Sequence, residues 1–123
     1  MSSDFIAGRF VAPAQADGVI EVRSPADQSD VVGRHSWSLA HVDEAVSAAR
    51  AAFPSWRRLG QAARAELLKK YQAQLKANTD ELARVIAREI GKPLWEAKTE
   101  VGAMVSKVDV SLGEGAAFVH DVT

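Results

Sequence analysis

Two hydrophobic periods divide the chain. Up to about residue 37 the apolar residues come in short bursts separated by turn formers. "DFIAGRFV" and "GVIEVRSP" carry β-branched and aromatic residues bounded by Gly, Pro or Asp, and "DVVGRHSW" is a weaker third run. Gly8 and the Ala16-Asp17-Gly18 stretch supply turn chemistry. Pro25 has no N–H for a ladder, so the second strand should stop near Arg23. The expectation is a hairpin with one further strand, too small to be stable alone.

From Ser38 the period lengthens to that of a helix. Val42, Ala45, Val46, Ala49, Ala52 and Phe53 recur on one side. Ser38 is the expected N-cap, and Asp43 and Glu44 place negative charge where the helix dipole favours it. Pro54 disfavours α geometry at Phe53 and should end this helix, leaving Trp56 to anchor a loop. A second helix follows Gly60, with Leu68, Tyr71 and Leu75 as its stripe and Lys69, Lys70 and Lys76 towards solvent. "NTDE" has the spacing of a capping box, Asn78 with Glu81, and opens a third helix faced by Leu82, Val85, Ile86 and Ile90. The fourth carries Leu94, Ala97, Val101, Met104, Val105, Val108 and Leu112 on one side for five turns. The fold class is therefore α+β and mainly α. A short β-hairpin or meander (residues 1–37) precedes about four amphipathic helices in a helical layer (residues 38–123).

"IGKP" at 90–93 admits two readings. A glycine and a lysine at a helix start sketch an anion cradle. A phosphate loop, however, wants a strand before it and several converging N–H groups, whereas a helix precedes this one and Pro93 has no N–H. The pattern is a structural joint, in which Gly91 closes one helix with a left-handed cap and Pro93 opens the next.

Composition narrows the chemistry. Fifteen Lys and Arg against sixteen Asp and Glu leave a net charge of −1, which gives no electrostatic footprint for nucleic acid. No apolar run approaches the ~20 residues that span a bilayer, and the first residues do not read as a secretion signal, so no membrane role and a cytoplasmic location are expected. The 123 residues include no cysteine, hence no thiol nucleophile and no thiolate metal site. His35, His41 and His120 are too scattered for a metal site and read as surface or cap-region residues. Glu81, Arg84, Arg88 and Lys92, like Glu96 and Glu100, follow helical spacing. Solvent-facing pairing accounts for them more simply than acid–base catalysis does. Arg57-Arg58 reads as a solvated turn and Met104 as core. No catalytic, cofactor-binding or metal-binding residue emerges from the residues alone.

Taken together, "VDEAVSAARAAFPSW" and "RAELLKKYQAQLKANTDELARVIAREIGKPLWEAKTEV" resemble the opening of an aldehyde dehydrogenase. The order is that of the superfamily: a β start, an Asp-x-Ala-Val helix running into Ala-Phe-x-x-Trp, then Glu-x-Gly-Lys-Pro and a Glu-Val helix. "IGKPLWEAKTEVGAMVSKV" is most similar to the succinylglutamate semialdehyde dehydrogenase branch of arginine catabolism. The likeness covers about residues 5–112, and "SLGEGAAFVHDVT" drifts from the usual continuation.

The resemblance implies an oxidoreductase that converts an aldehyde or semialdehyde to the acid with NAD or NADP. A cysteine thiolate attacks, hydride leaves to nicotinamide and a glutamate activates water. It places all those groups, the dinucleotide fold, the catalytic domain and the oligomerisation strands downstream of this segment. It makes the chain an incomplete part of the cofactor-binding domain, inactive and without cofactor by itself. By register on Gly-Lys-Pro it puts Glu100 and Met104 at the substrate-tunnel entrance. The implied partner is the rest of the dehydrogenase polypeptide, or another copy through exposed apolar faces. The competing expectation is a stand-alone, non-catalytic helical interaction module.

Overall fold

Strand and helix chemistry sort the chain as the two periods require, with differences at almost every boundary. The structure is a computed structural model that describes residues 4–118. Contacts divide the chain into two units, residues 1–59 and residues 60–123. The change from strand to helix falls near residue 38, but the first helix packs with the strands.

The first unit holds two antiparallel hairpins and one helix. β1 (Asp4–Ile6) pairs with β2 (Arg9–Val11), and β3 (Gly18–Ser24) pairs with β4 (Asp27–Trp37). "DFIAGRFV" is thus a complete hairpin rather than one strand. Ala7 and Gly8 both take positive φ, 51° and 82°, as a two-residue hairpin turn demands. Gly8 is the turn residue the sequence marks; Ala7 carries no such signal, because alanine rarely enters that region. Phe5 stands opposite Phe10, with ring centroids 5.1 Å apart in an edge-to-face contact. In the longer hairpin Glu21 faces Arg34 across the ladder, and Arg34 Nε donates to Glu21 Oε2 at 2.5 Å. β3 ends at Ser24, just before Pro25.

α1 (Ala40–Arg58) departs from expectation at both ends. Leu39, not Ser38, occupies the N-cap position, and the Ser38 hydroxyl makes no cap bond. The capping oxygen comes from Asp17: its Oδ2 accepts the Leu39 N–H at 2.7 Å and the Ser38 hydroxyl at 3.2 Å. Asp17 is also held by its own N–H, donated to the Trp37 carbonyl at 2.9 Å. Pro54 does not end the helix. A proline removes one donor while keeping a helical φ, and the Ser55 hydroxyl donates to the Ala52 carbonyl at 2.8 Å within the same turn. The helix closes four residues later, with the Leu59 N–H on the Trp56 carbonyl at 3.3 Å. Trp56 accordingly lies within the helix, and Arg57-Arg58 form its last turn rather than a loop.

The second unit contains α2 (Gly60–Ala77), α3 (Thr79–Ile90), α4 (Leu94–Leu112) and the single turn α5 (Glu114–Ala117). Its core is Ala83, Ala97 and Val101, with Leu82, Ile86 and Ala87 packed against them. Two alanines at the α3–α4 contact let the backbones approach closely, and fully burying Val101 contributes roughly 1.5–3 kcal/mol. The predicted α2 stripe is buried only at Leu75, while Leu68 and Tyr71 stay exposed. Val85 and Ile90 of α3 and Leu94 and Met104 of α4 stay exposed as well. A polar link does part of the work assigned to the α2 stripe: Gln72 Nε2 donates to the Val105 carbonyl at 2.9 Å and to Asp109 Oδ2 at 2.8 Å.

The capping box at Asn78 does not form. Asn78 is the N-cap residue of α3, but its side chain turns back and donates from Nδ2 to the Gln74 carbonyl at 2.8 Å. The Thr79 hydroxyl likewise donates to the Lys76 carbonyl at 2.8 Å. Both add donors at the C-terminal carbonyls of α2, where the Gln74 carbonyl also accepts the Asn78 N–H at 3.1 Å. These side chains therefore bond back to α2 and not forward to α3.

Candidate functional site

The α3–α4 joint gathers the charged residues singled out in the sequence. Gly91 ends α3 in the left-handed conformation (φ 74°, ψ 26°), its N–H donated to the Ala87 carbonyl at 2.9 Å. Pro93, extended at φ −58° and ψ 139°, is the N-cap of α4, and its carbonyl accepts the Ala97 N–H at 3.1 Å. Between them Lys92 is pulled in, with its side chain 17% exposed. Its ammonium donates to Glu100 Oε1 and, at 3.4 Å, to Glu96 Oε1. The hydrogen bond it donates to the Glu100 carboxylate raises the pKa of the Lys92 ammonium above its ordinary value. Partial burial opposes that rise, and Glu96 adds to it.

This arrangement is a charge clamp across the first turns of α4, one lysine against two carboxylates. An anion cradle would need the ammonium directed outward and N–H groups converging on the ligand. Here the ammonium is committed to Glu96 and Glu100. Met104 follows Glu100 by four residues, so Glu96, Glu100 and Met104 run along one side of α4, with Met104 39% exposed. The placement of Met104 in the core is thereby corrected.

A separate ion pair does cross from α3 to α4. Lys98 Nζ lies 2.8 Å from Asp80 Oδ1 and holds the Asp80 carboxyl below its ordinary value. Neither partner stood out in the sequence, since no helical spacing connects residue 80 to residue 98. The other charges in the Glu81, Arg84 and Arg88 series lie exposed on α3.

In the first unit, His41 is nearly buried at 8% exposure and is the second residue of α1. Its Nδ1 lies 2.7 Å from Asp4 Oδ2. The pair joins β1 to the start of α1 beside an apolar groove lined by Phe5, Ile6, Trp37, Leu39, Val42 and Val46. His35 lies on β4 with its imidazole over Gly33, where an added Cβ would meet Nε2 at 2.8 Å. His120 lies outside the described residues. Among the described residues no group of three His, Cys, Asp or Glu could hold a metal ion. No described helix is long and apolar enough to cross a membrane.

These pieces are a helical layer with a charge-clamped joint, preceded by strands and a capped helix, and this architecture recurs in known proteins. The profile of the Aldehyde dehydrogenase family matches residues 10–122. The chain belongs to that family. It is 46% identical, over 98% of its length, to the N-succinylglutamate 5-semialdehyde dehydrogenase of Chromobacterium violaceum. With the enzyme of the same name from Ectopseudomonas mendocina it shares 45% identity over 91% of its length. Among solved structures, an NAD-dependent aldehyde dehydrogenase from Sinorhizobium meliloti superposes with a TM-score of 0.85 at 31% identity, over 95% of this chain and 24% of that one. PnpE, solved in complex with nicotinamide adenine dinucleotide, matches all of the chain and 26% of its own, with a TM-score of 0.86 at 32% identity. The chain spans about a quarter of the length of the curated relatives, 26% and 23%.

Proposed function

We propose that this chain is the N-terminal segment of a cytoplasmic, NAD-dependent dehydrogenase that oxidises N-succinylglutamate 5-semialdehyde to the acid, a step in arginine catabolism. The observation that carries the reading is the 46% identity to an enzyme of that name, sustained along 98% of the chain. NAD is favoured over NADP because one structural relative was solved with nicotinamide adenine dinucleotide. With no cysteine among the 123 residues, the thiolate that attacks the aldehyde belongs to the remaining polypeptide. The segment's own part is structural. It supplies apolar helix faces for that polypeptide and, through Glu100 and Met104 on α4, part of the entrance taken by the aldehyde.

The test is a chimaera in which this chain replaces the matching segment of the Chromobacterium violaceum enzyme. It should reduce NAD+ when given N-succinylglutamate 5-semialdehyde, followed by NADH absorbance. A soluble chimaera that accepts only other aldehydes would overturn the substrate, and one that oxidises none would overturn the functional reading. Within an active chimaera, Met104→Ala should change the KM for aldehyde more than the KM for NAD+. Equal changes would remove Met104 from the entrance.

A further inference from the structure

The clamp at the start of α4 places one cation against two carboxylates on the side of the helix that also carries Met104. Lys92 is the cation, mostly covered, and it bonds Glu96 and Glu100 at once. The two carboxylates are the more open partners, at 45% and 42% side-chain exposure. With Lys92 in place the cluster carries one net negative charge. Without it the same surface would carry two, four residues apart on one helix.

A carboxylate surface beside the path of a neutral aldehyde is of little consequence. Beside the path of an aldehyde that is itself an anion it repels. A semialdehyde made from a succinylated amino acid carries a free carboxylate at its succinyl end and another at its α-carbon. We propose that Lys92 is a specificity-determining positioning residue. By pinning Glu96 and Glu100 and halving their net negative charge, it lets the α4 side of the entrance admit a dianionic semialdehyde. This inference rests on the functional reading above, which sets that side of α4 beside the aldehyde's path. Lys92 acts through the two glutamates and need not touch the substrate, because its ammonium is already committed to them.

The geometry also supplies the control. If the effect runs through the carboxylates, neutralising them must act in the opposite sense to neutralising Lys92. A purely structural clamp would make both changes damaging and indifferent to substrate charge. The comparison is therefore between Lys92→Met and the double variant Glu96→Gln/Glu100→Gln in the chimaera described above. Both are assayed with N-succinylglutamate 5-semialdehyde and with propanal, an uncharged aldehyde. Lys92→Met should raise the KM for the anionic substrate roughly three- to tenfold, with the KM for propanal and for NAD+ unchanged. Added salt should shrink that rise, and Lys92→Arg should restore most of the lost affinity. The double glutamine variant should lower the KM for the anionic substrate, and in that background Lys92→Met should have no further effect. If Lys92→Met fails to fold, the double glutamine variant still decides the matter through the direction of its shift.

An active chimaera in which both aldehydes shift alike, or in which neither variant shifts the anionic one, overturns this inference and leaves the functional reading standing. A folded wild-type chimaera that oxidises no aldehyde overturns both.

Discussion

At the scale of single residues the side chains that matter most are polar ones paired across long stretches of sequence. Asp17 caps a helix that begins more than twenty residues later, whereas Ser38, adjacent to that helix, leaves the cap position to Leu39. Asp17→Ala should therefore cost about 1–2 kcal/mol locally. It would be read as a roughly five- to thirtyfold loss of hydrogen-exchange protection at the first amides of α1, with Ser38→Ala clearly milder. Equal losses would return the cap to Ser38. Asp80 gives a pH-dependent counterpart. Because Lys98 lowers its folded pKa below 3.8, the pair stabilises the protein above that value, and the contribution is lost as pH falls through the folded pKa. A carbon-detected titration of the Asp80 carboxyl should show a midpoint below 3.8, moving up towards it in Lys98→Met. A midpoint unmoved by that change would mean the pair does not persist in solution. Lys92 has the opposite sign. Its raised pKa keeps the clamp intact below the ordinary 10.5, and the contribution disappears as pH rises through the folded value.

At the scale of elements, helix existence was legible and helix ends were not. Apolar spacing places α1 to α4 because burying a stripe requires a 3.6-residue period, whichever neighbour covers it. Ends depend on who satisfies the orphan carbonyls and N–H groups, and that depends on which chain segments lie nearby. Asn78 and Thr79 serve α2 rather than α3, and Pro54 is absorbed within α1. The α3–α4 joint was readable because its two residues act through their own backbone. Gly91 needs positive φ and Pro93 supplies a fixed one, without help from neighbours. Two glycines separated by eleven residues should consequently respond in opposite directions. Gly91→Ala, at φ +74°, should destabilise the helical unit by about 1 kcal/mol. Gly102→Ala, inside α4 with open space where a Cβ would stand, should stabilise it by about 0.5–1 kcal/mol. Urea melts followed by helical circular dichroism check both, and a shift of the same sign in the two variants would contradict the argument.

At the scale of the whole molecule, large apolar side chains remain uncovered in each unit. Phe53 of α1 is 58% exposed and Trp95 of α4 is 69% exposed, in a chain that spans only about a quarter of its relatives, 26% of one of them. Faces of that kind are covered in a complete protein or they associate. The isolated chain should bind a hydrophobic dye and sediment heavier than its 13.2 kDa monomer, and NAD+ should produce no heat of binding in calorimetry. A dye-silent monomer would instead favour a self-contained module. The family, the passage from strands to helices and the Gly91–Pro93 joint are legible in the sequence, because each is written in local periods, in backbone-autonomous residues or in motif order. Three-dimensional packing alone makes Asp17 the cap of α1, ties α4 to its neighbours through Gln72 and Asp80, and commits Lys92 to Glu96 and Glu100. Those contacts form between groups that no local spacing relates, and they exist only once folding has removed the intervening water and brought the partners within hydrogen-bond reach.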